Sequence, residues 1–201
     1  MALGHYWEAG MAESRRRLAT GRLCLELVAT VHGRLSGAPN DDLLDGARVA
    51  EWLAAIGAET GERPADGDVE HYLDVREAIY RLVTSAATGD VADVEQRNAD
   101  VALVNAWARG PAPVPQLRVG EQGLVSNTAL PTPRQVLTVV ARDAIDLLAA
   151  PEAARLHQCD GSHCGTVFLD TSRGGRRRWC SSDKCGNRAR VAAHRDRHVS
   201  A

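Results

Sequence analysis

The sequence predicts a mainly α-helical N-terminal domain followed by a small C-terminal module built on cysteines, with short β-hairpins in both parts. Three observations carry this. Apolar residues recur at helical spacing through most of the first 150 positions. Four of the five cysteines fall within the 27 residues 159–185. Charge divides at the same place: from 155 onward ten Lys and Arg face four acids, a net of +6, whereas the first 154 residues hold 14 bases and 22 acids, a net of −8. The chain total of −2 over 201 residues hides that division. At 44% hydrophobic and 25% charged the composition is that of an ordinary globular chain, which excludes whole-chain disorder and collagen-like repeats. No apolar run approaches the roughly 18 residues of a membrane span. The first 20 residues lack the apolar core of a secretion signal, so the expected compartment is the cytoplasm and no membrane partner is expected.

Along the chain, 1–18 reads as a flexible N-terminus, 19–154 as the helical domain and 155–201 as the cysteine module. A first helix opens at Thr20 or Gly21, with Leu23, Leu27, Val28, Val31 and Leu35 on one stripe. A second is predicted over about 45–56, with Val49, Trp52, Leu53 and Ile56 inward and Gly57 as its stop. A third starts at Asp66 or Asp68 and ends at Gly89, with Tyr72, Val75, Ile79, Leu82 and Val83 forming its stripe. Asp90 caps a fourth, which buries Val94, Val101, Val104 and Trp107 before Gly110-Pro111. Two short runs flanking Gly120 to Gly123 read as a β-hairpin. Thr132-Pro133 is an N-cap followed by proline at the first helical position, opening a last helix through Val136, Val140, Ala144 and Leu147. Cys24 stands alone among apolar residues and reads as a small buried hydrophobe.

The cysteine module reads Cys159-x4-Cys164, fifteen residues, then Cys180-x4-Cys185. Without a secretion signal disulfides are not expected. Two such pairs suit tetrahedral thiolate ligation of one zinc ion, with sulfurs about 3.7 Å apart around Zn–S bonds of about 2.3 Å. A rival set of Cys180, Cys185, His194 and His198 leaves Cys159 and Cys164 without a role. Four protein ligands leave no position for a reacting water, so the zinc is expected to be structural. The spacer, 166–170 and 176–179 around Gly174-Gly175, reads as a hairpin, and the run after Cys185 reads as a helix. That is the order of a treble-clef finger. Phe168, Trp179 and Val191 are too few to hold such a module without metal.

The basic residues sit on this frame. Arg176, Arg177 and Arg178 fall on the second predicted strand, where alternation turns Arg177 away from its neighbours. Lys184 stands at the entrance of the final helix, and Asn187, Arg188, Arg190 and Arg195 lie along it. Such side chains bind phosphates, while Arg and Asn can also read guanine and adenine edges in the major groove. These eight residues are the expected DNA contacts. A rival reading makes the finger a protein- or RNA-docking module.

The C-terminal residues resemble the CGNR zinc-finger proteins. The resemblance rests on Cys159-x4-Cys164, Phe168-Leu-Asp-Thr-Ser172, Arg177-Arg-Trp-Cys-Ser181 and the run Cys185-Gly-Asn-Arg188 itself. Gly21-Arg-Leu-Cys-Leu-Glu-Leu-Val-Ala-Thr30 and Val49-Ala-Glu-Trp-Leu53 are similar to the opening of the ABATE domain that usually precedes this finger. Many members read D-F-x-N-T where this chain has Glu26-Leu-Val-Ala-Thr30. The resemblance implies a zinc-dependent bacterial transcription regulator that binds DNA and, when bound, is associated with the nucleoid. Its acidic domain is expected to sense a small-molecule effector, to form a homodimer, or both. No nucleophile–base pair, phosphate-binding glycine loop or HExxH motif is present, so no catalysis is expected. Glu26, His32 and His71 read as isolated structural or surface residues.

Overall fold

The computed structural model describes residues 18–90, 93–121, 123–127 and 129–199. The expected flexible N-terminus lies, apart from Leu18, outside the described residues. The chain runs α1 (Leu23–Val28), β1 (Val31–His32), β2 (Asn40–Asp41), α2 (Gly46–Ala55), α3 (Asp66–Thr88), α4 (Val94–Ala108), β3 (Gln116–Gly120), β4 (Gly123–Asn127) and α5 (Pro133–Ala149). A 3-10 turn, Pro151–Arg155, leads into β5 (Leu156–Gln158), β6 (Val167–Leu169), a π-type turn over Ser182–Gly186 and α6 (Asn187–Val199). Among the described residues three sheets form, all two-stranded and antiparallel. No helix among the described residues is long and apolar enough to cross a membrane.

The helix termini follow their caps. Asp45 accepts from the Arg48 amide at the start of α2, and Thr132 and Gln135 form a reciprocal capping box on α5 with Pro133 at its first position. Gly89 ends α3 at φ +77°, a left-handed conformation that glycine adopts without a Cβ penalty. The long α3 is the centre of the domain, touching α1, α2, α4, α5 and both strands of β5–β6. Its Tyr72, Val75, Ile79 and Val83 are fully buried. The Tyr72 hydroxyl donates to the Pro133 carbonyl at 2.8 Å, and Trp52 meets the Tyr72 ring edge-on. Cys24 is buried in this core as expected. Burial pushes its thiol well above the ordinary range, the nearby Asp143 carboxylate adding to the effect, so it stays neutral.

Three expectations are corrected. The first helix stops at Val28, because the Thr30 hydroxyl donates to the Leu27 carbonyl and the chain turns into the β1–β2 pair. Leu35, expected on its stripe, is therefore exposed. On α4, Val94 and Val101 face solvent. The buried face holds Val104 and Asp100, whose carboxylate takes Arg81 in a two-pronged ion pair at 2.6 and 2.8 Å. An apolar count cannot find a helix face organised around an acid. The strand before Asp170 pairs with Leu156–Gln158 rather than with 176–179.

That last change alters how the module is held. Leu156, Val167 and Leu169 belong to the main core of the helical domain, whereas Phe168 faces the cysteines. One two-stranded sheet thus serves two cores by simple alternation. Backbone bonds reinforce the join: Leu169 donates to the Thr20 carbonyl and Asp170 to the Arg155 carbonyl, both at 2.9 Å. Burial of each of those three side chains contributes about 1.5–3 kcal/mol. The module borrows its base from the preceding domain.

Candidate metal centre and nucleic-acid interface

Cys159 and Cys164 lie on the connection between β5 and β6, and Cys180 and Cys185 flank the start of the last helical segment. All four sulfurs lie within 4.8 Å of one another, with Cys164 to Cys180 at 3.6 Å and Cys180 to Cys185 at 3.7 Å. Those spacings match the edges of a thiolate tetrahedron around zinc. Cys159 and Cys164, which the rival Cys2His2 set left without a role, join Cys180 and Cys185 here, and the His198 side chain of that set lies outside the described residues. The Cys180 amide donates to the Cys159 sulfur at 3.3 Å, and Gly161 sits where a Cβ would come 3.2 Å from the Cys164 Cβ. Gly165 has φ +69°, and a Cβ there would lie 2.9 Å from that of Arg34. Glycine is required at this crossing.

The electrostatics fit a dication. Burial, then the neighbouring Cys164, pushes the Cys185 thiol up to about 11. Sharing of protons with Cys159 and Cys164 drives Cys180 upward, while hydrogen bonds from Cys159 and Cys180 pull Cys164 down. Four crowded sulfurs cannot all ionise together unless a cation offsets their repulsion. The cluster suits one structural zinc ion, held by Cys159, Cys164, Cys180 and Cys185. When bound, the ion cross-links the two cysteine pairs and neutralises their charge.

Around the cluster, Asp170 and Arg177 organise the spacer. Asp170 is fully buried, and its carboxylate accepts from the Ser172 amide at 2.8 Å and the Arg177 amide at 2.9 Å. Ser172, followed by the Arg177 amide, holds its carboxyl down at about 2. The stability it brings is complete above the ordinary carboxylate range and is lost as pH falls through about 2. Asp170→Ala leaves both amides without their acceptor. It is expected to loosen 171–179 and to speed removal of the metal by a chelator, followed with a colorimetric zinc indicator. An unchanged rate would place the anchor of this segment elsewhere. Asp170 was legible in principle: Asp followed two positions later by Ser is the pattern of an Asx-turn.

The structure sorts the eight expected DNA contacts into groups. Arg177 is the correction. Its guanidinium lies 4.3 Å over the Phe168 ring and donates to the carbonyls of Trp179, Ala19 and Cys180, so it is spent on holding the spacer. Arg176 and Arg178 on either side are exposed, and the strand expected over 176–179 does not form. Arg178 pairs with Asp160 at 2.7 Å and lies 5.1 Å from the Trp179 ring centre. Arg190 donates to the Ser182 carbonyl at 3.2 Å. Lys184, Asn187, Arg188 and Arg195 line one groove. Val191, expected in the finger core, also faces that groove; the core is instead Phe168 with the cysteines and Trp179.

A segment missed from sequence touches the metal centre. The Arg34 amide donates to the Cys164 carbonyl at 3.0 Å and the Leu35 amide to the His163 carbonyl at 3.3 Å. The Arg34 guanidinium stacks 4.0 Å over Tyr80 and takes both oxygens of Glu77 at 2.8 and 3.0 Å. Glu77 also accepts from Arg76, which clamps Asp41 at 2.6 and 2.7 Å. Burial raises the Glu77 carboxyl, but Arg34 outweighs it and the group sits below its usual range. A chain of ion pairs thus ties the middle of α3 to the first cysteine pair. The other expected bystanders have plain roles: Glu26 accepts from Thr20, His32 meets Asp42 at 2.7 Å, and His71 packs on Trp107 beside Arg134.

Two family models match the chain. The ABATE family, described as “Putative stress-induced transcription regulator”, matches residues 21–151, and the CGNR zinc finger matches residues 155–198. No curated protein matches the chain. With a match over more than half its length and a four-sulfur centre where the finger requires one, the chain belongs to the ABATE family and carries a CGNR zinc finger after that domain.

Proposed function

We propose that this protein is a zinc-dependent DNA-binding transcription regulator, in which the finger supplies the DNA contacts and the helical domain senses a signal, dimerises, or both. The observation that carries the reading is a set of exposed cations on a metal-ordered frame. Arg176, Lys184, Arg188 and Arg195 have no ion-pair partner among the described residues. Unneutralised cations, three of which (Lys184, Arg188 and Arg195) line one groove, are what a polyanion finds favourable, because each phosphate they neutralise releases counterions. On this reading the protein catalyses no reaction. An apolar cavity of about 450 Å³ beside Trp107, Thr138 and Arg134 supports the sensing role, being large enough for a small ligand. The exposed Leu117, Val119 and Leu124 on one face of the β3–β4 hairpin favour the dimerising role.

Duplex binding measured against salt tests the proposal. Four cations on four phosphates give a slope of log K on log salt of about −4. Binding insensitive to salt would contradict it. Arg188→Ala is expected to relax sequence preference, since Arg188 lies on the helix face beside Asn187. Arg176→Ala is expected to weaken all sequences alike. Selection from random genomic fragments with each variant separates the two, and the reverse pattern would exchange their roles. Competition with structured RNA distinguishes the docking-module reading, under which RNA would displace duplex DNA.

A further inference from the structure

We infer that the segment 33–40 of the helical domain, the β1–β2 connection with Asn40, forms the second wall of the DNA site, so that a phosphodiester strand lies between this segment and α6. The inference rests on the DNA-binding reading above and adds a partner surface from the other domain. A groove of about 990 Å³ runs between the two, floored by the metal centre. Lys184, Arg188 and Arg195 share its lining with Ser36, Ala38 and Asn40 of the helical domain. The cationic stripe therefore opens into a groove that the helical domain also lines. A polyanion that reaches all three cations enters the groove and meets the loop.

The charges near the groove favour an anion. Among the described residues Lys184, Arg188 and Arg195 have no ion-pair partner. Of the acids around the groove, Asp160 is held by Arg178, Asp42 meets His32 and Asn40, and Asp41 is held by Arg76; Asp183, next to Lys184, is exposed and does not line the groove. The loop wall itself is neutral and small at Ser36, Gly37 and Ala38, which permits close approach of a sugar–phosphate chain. It is also fixed. Its amides at Arg34 and Leu35 donate to the Cys164 and His163 carbonyls, the Ser36 amide donates to the Gly33 carbonyl at 2.8 Å, and the Arg34 guanidinium is held between Tyr80 and Glu77. A wall held in place before binding costs little ordering when the ligand arrives.

Anisotropy of a labelled random-sequence duplex with the full-length, zinc-loaded chain tests this. Ala38→Arg adds a cation to the neutral wall. It is expected to raise affinity several-fold and steepen the salt slope by about one. Ala38→Glu is expected to lower affinity by about tenfold. Ala54→Glu and Ala54→Arg, on the exposed side of α2 and outside the groove, serve as the charge-matched controls. The gain in Ala38→Arg cannot arise from misfolding, and zinc content is checked for every variant. If each Ala38 variant matches its Ala54 counterpart while Arg188→Ala still weakens binding, the second wall is overturned and the DNA reading stands. If the wild-type chain fails to bind duplex at low salt, the DNA reading fails and this inference fails with it.

Discussion

Removal of the metal is expected to free 171–199 while the β5–β6 hairpin stays in place. The finger's own apolar cluster consists of Phe168 and Trp179 with the four cysteines, so without the ion only two sizeable side chains remain to hold it. Structural zinc contributes on the order of 10 kcal/mol to modules of this kind, far more than those two side chains replace. The hairpin is different, because Leu156, Val167 and Leu169 are buried in the main core. Hydrogen exchange after chelation reads the outcome. Amides of α6 and of the π-type turn lose protection, whereas Leu156 to Gln158 and Val167 to Leu169 keep theirs. Full protection of α6 without metal would contradict a structural zinc. Loss of the hairpin together with α6 would show that the alternation between two cores does not hold it.

Asp143→Ala is expected to cost about 3 kcal/mol, the low end for one partner of a buried pair. The Asp143 side chain is 5% exposed, and its carboxylate accepts from Arg22 Nε at 3.0 Å and from the Cys24 amide at 2.9 Å. That amide belongs to the first turn of α1, where backbone donors lack helical acceptors. The substitution leaves a buried amide unsatisfied and strips Arg22 of its buried carboxylate partner. Glu152 also reaches Arg22, which holds the loss to the lower figure. Thermal unfolding is expected to fall by roughly 10 °C. A shift no larger than that of an exposed substitution such as Ala54→Glu would contradict the role assigned to Asp143.

The features readable in the sequence were those set by near neighbours. Asp45, Thr132-Pro133 and Gly89 mark helix ends because capping acts within one turn. The turn between Gly120 and Gly123 closes a hairpin for the same reason. The four cysteines were legible because a knuckle fixes the spacing of its ligands. Long-range choices were not. Leu156, His157 and Gln158 are too short a run to show periodicity, so the partner of β6 was misassigned. Alternation separated Arg177 from its neighbours without saying which face turns inward, and 176–178 forms no strand; the Phe168 ring and the Ala19 carbonyl that Arg177 meets come from other segments. The early end of α1 depends on β2, and Asp100 on α4 depends on Arg81 from α3. The groove could not be seen from either domain alone, since Ala38 and Arg188 are 150 positions apart.

The most direct measurement is a duplex titration of the full chain as purified with zinc, after chelation, and after zinc is restored. Salt-sensitive binding that vanishes with the metal and returns with it is the expected result. Equal affinity in the metal-free chain, or none in the zinc-loaded one, would contradict a DNA interface ordered by the four cysteines.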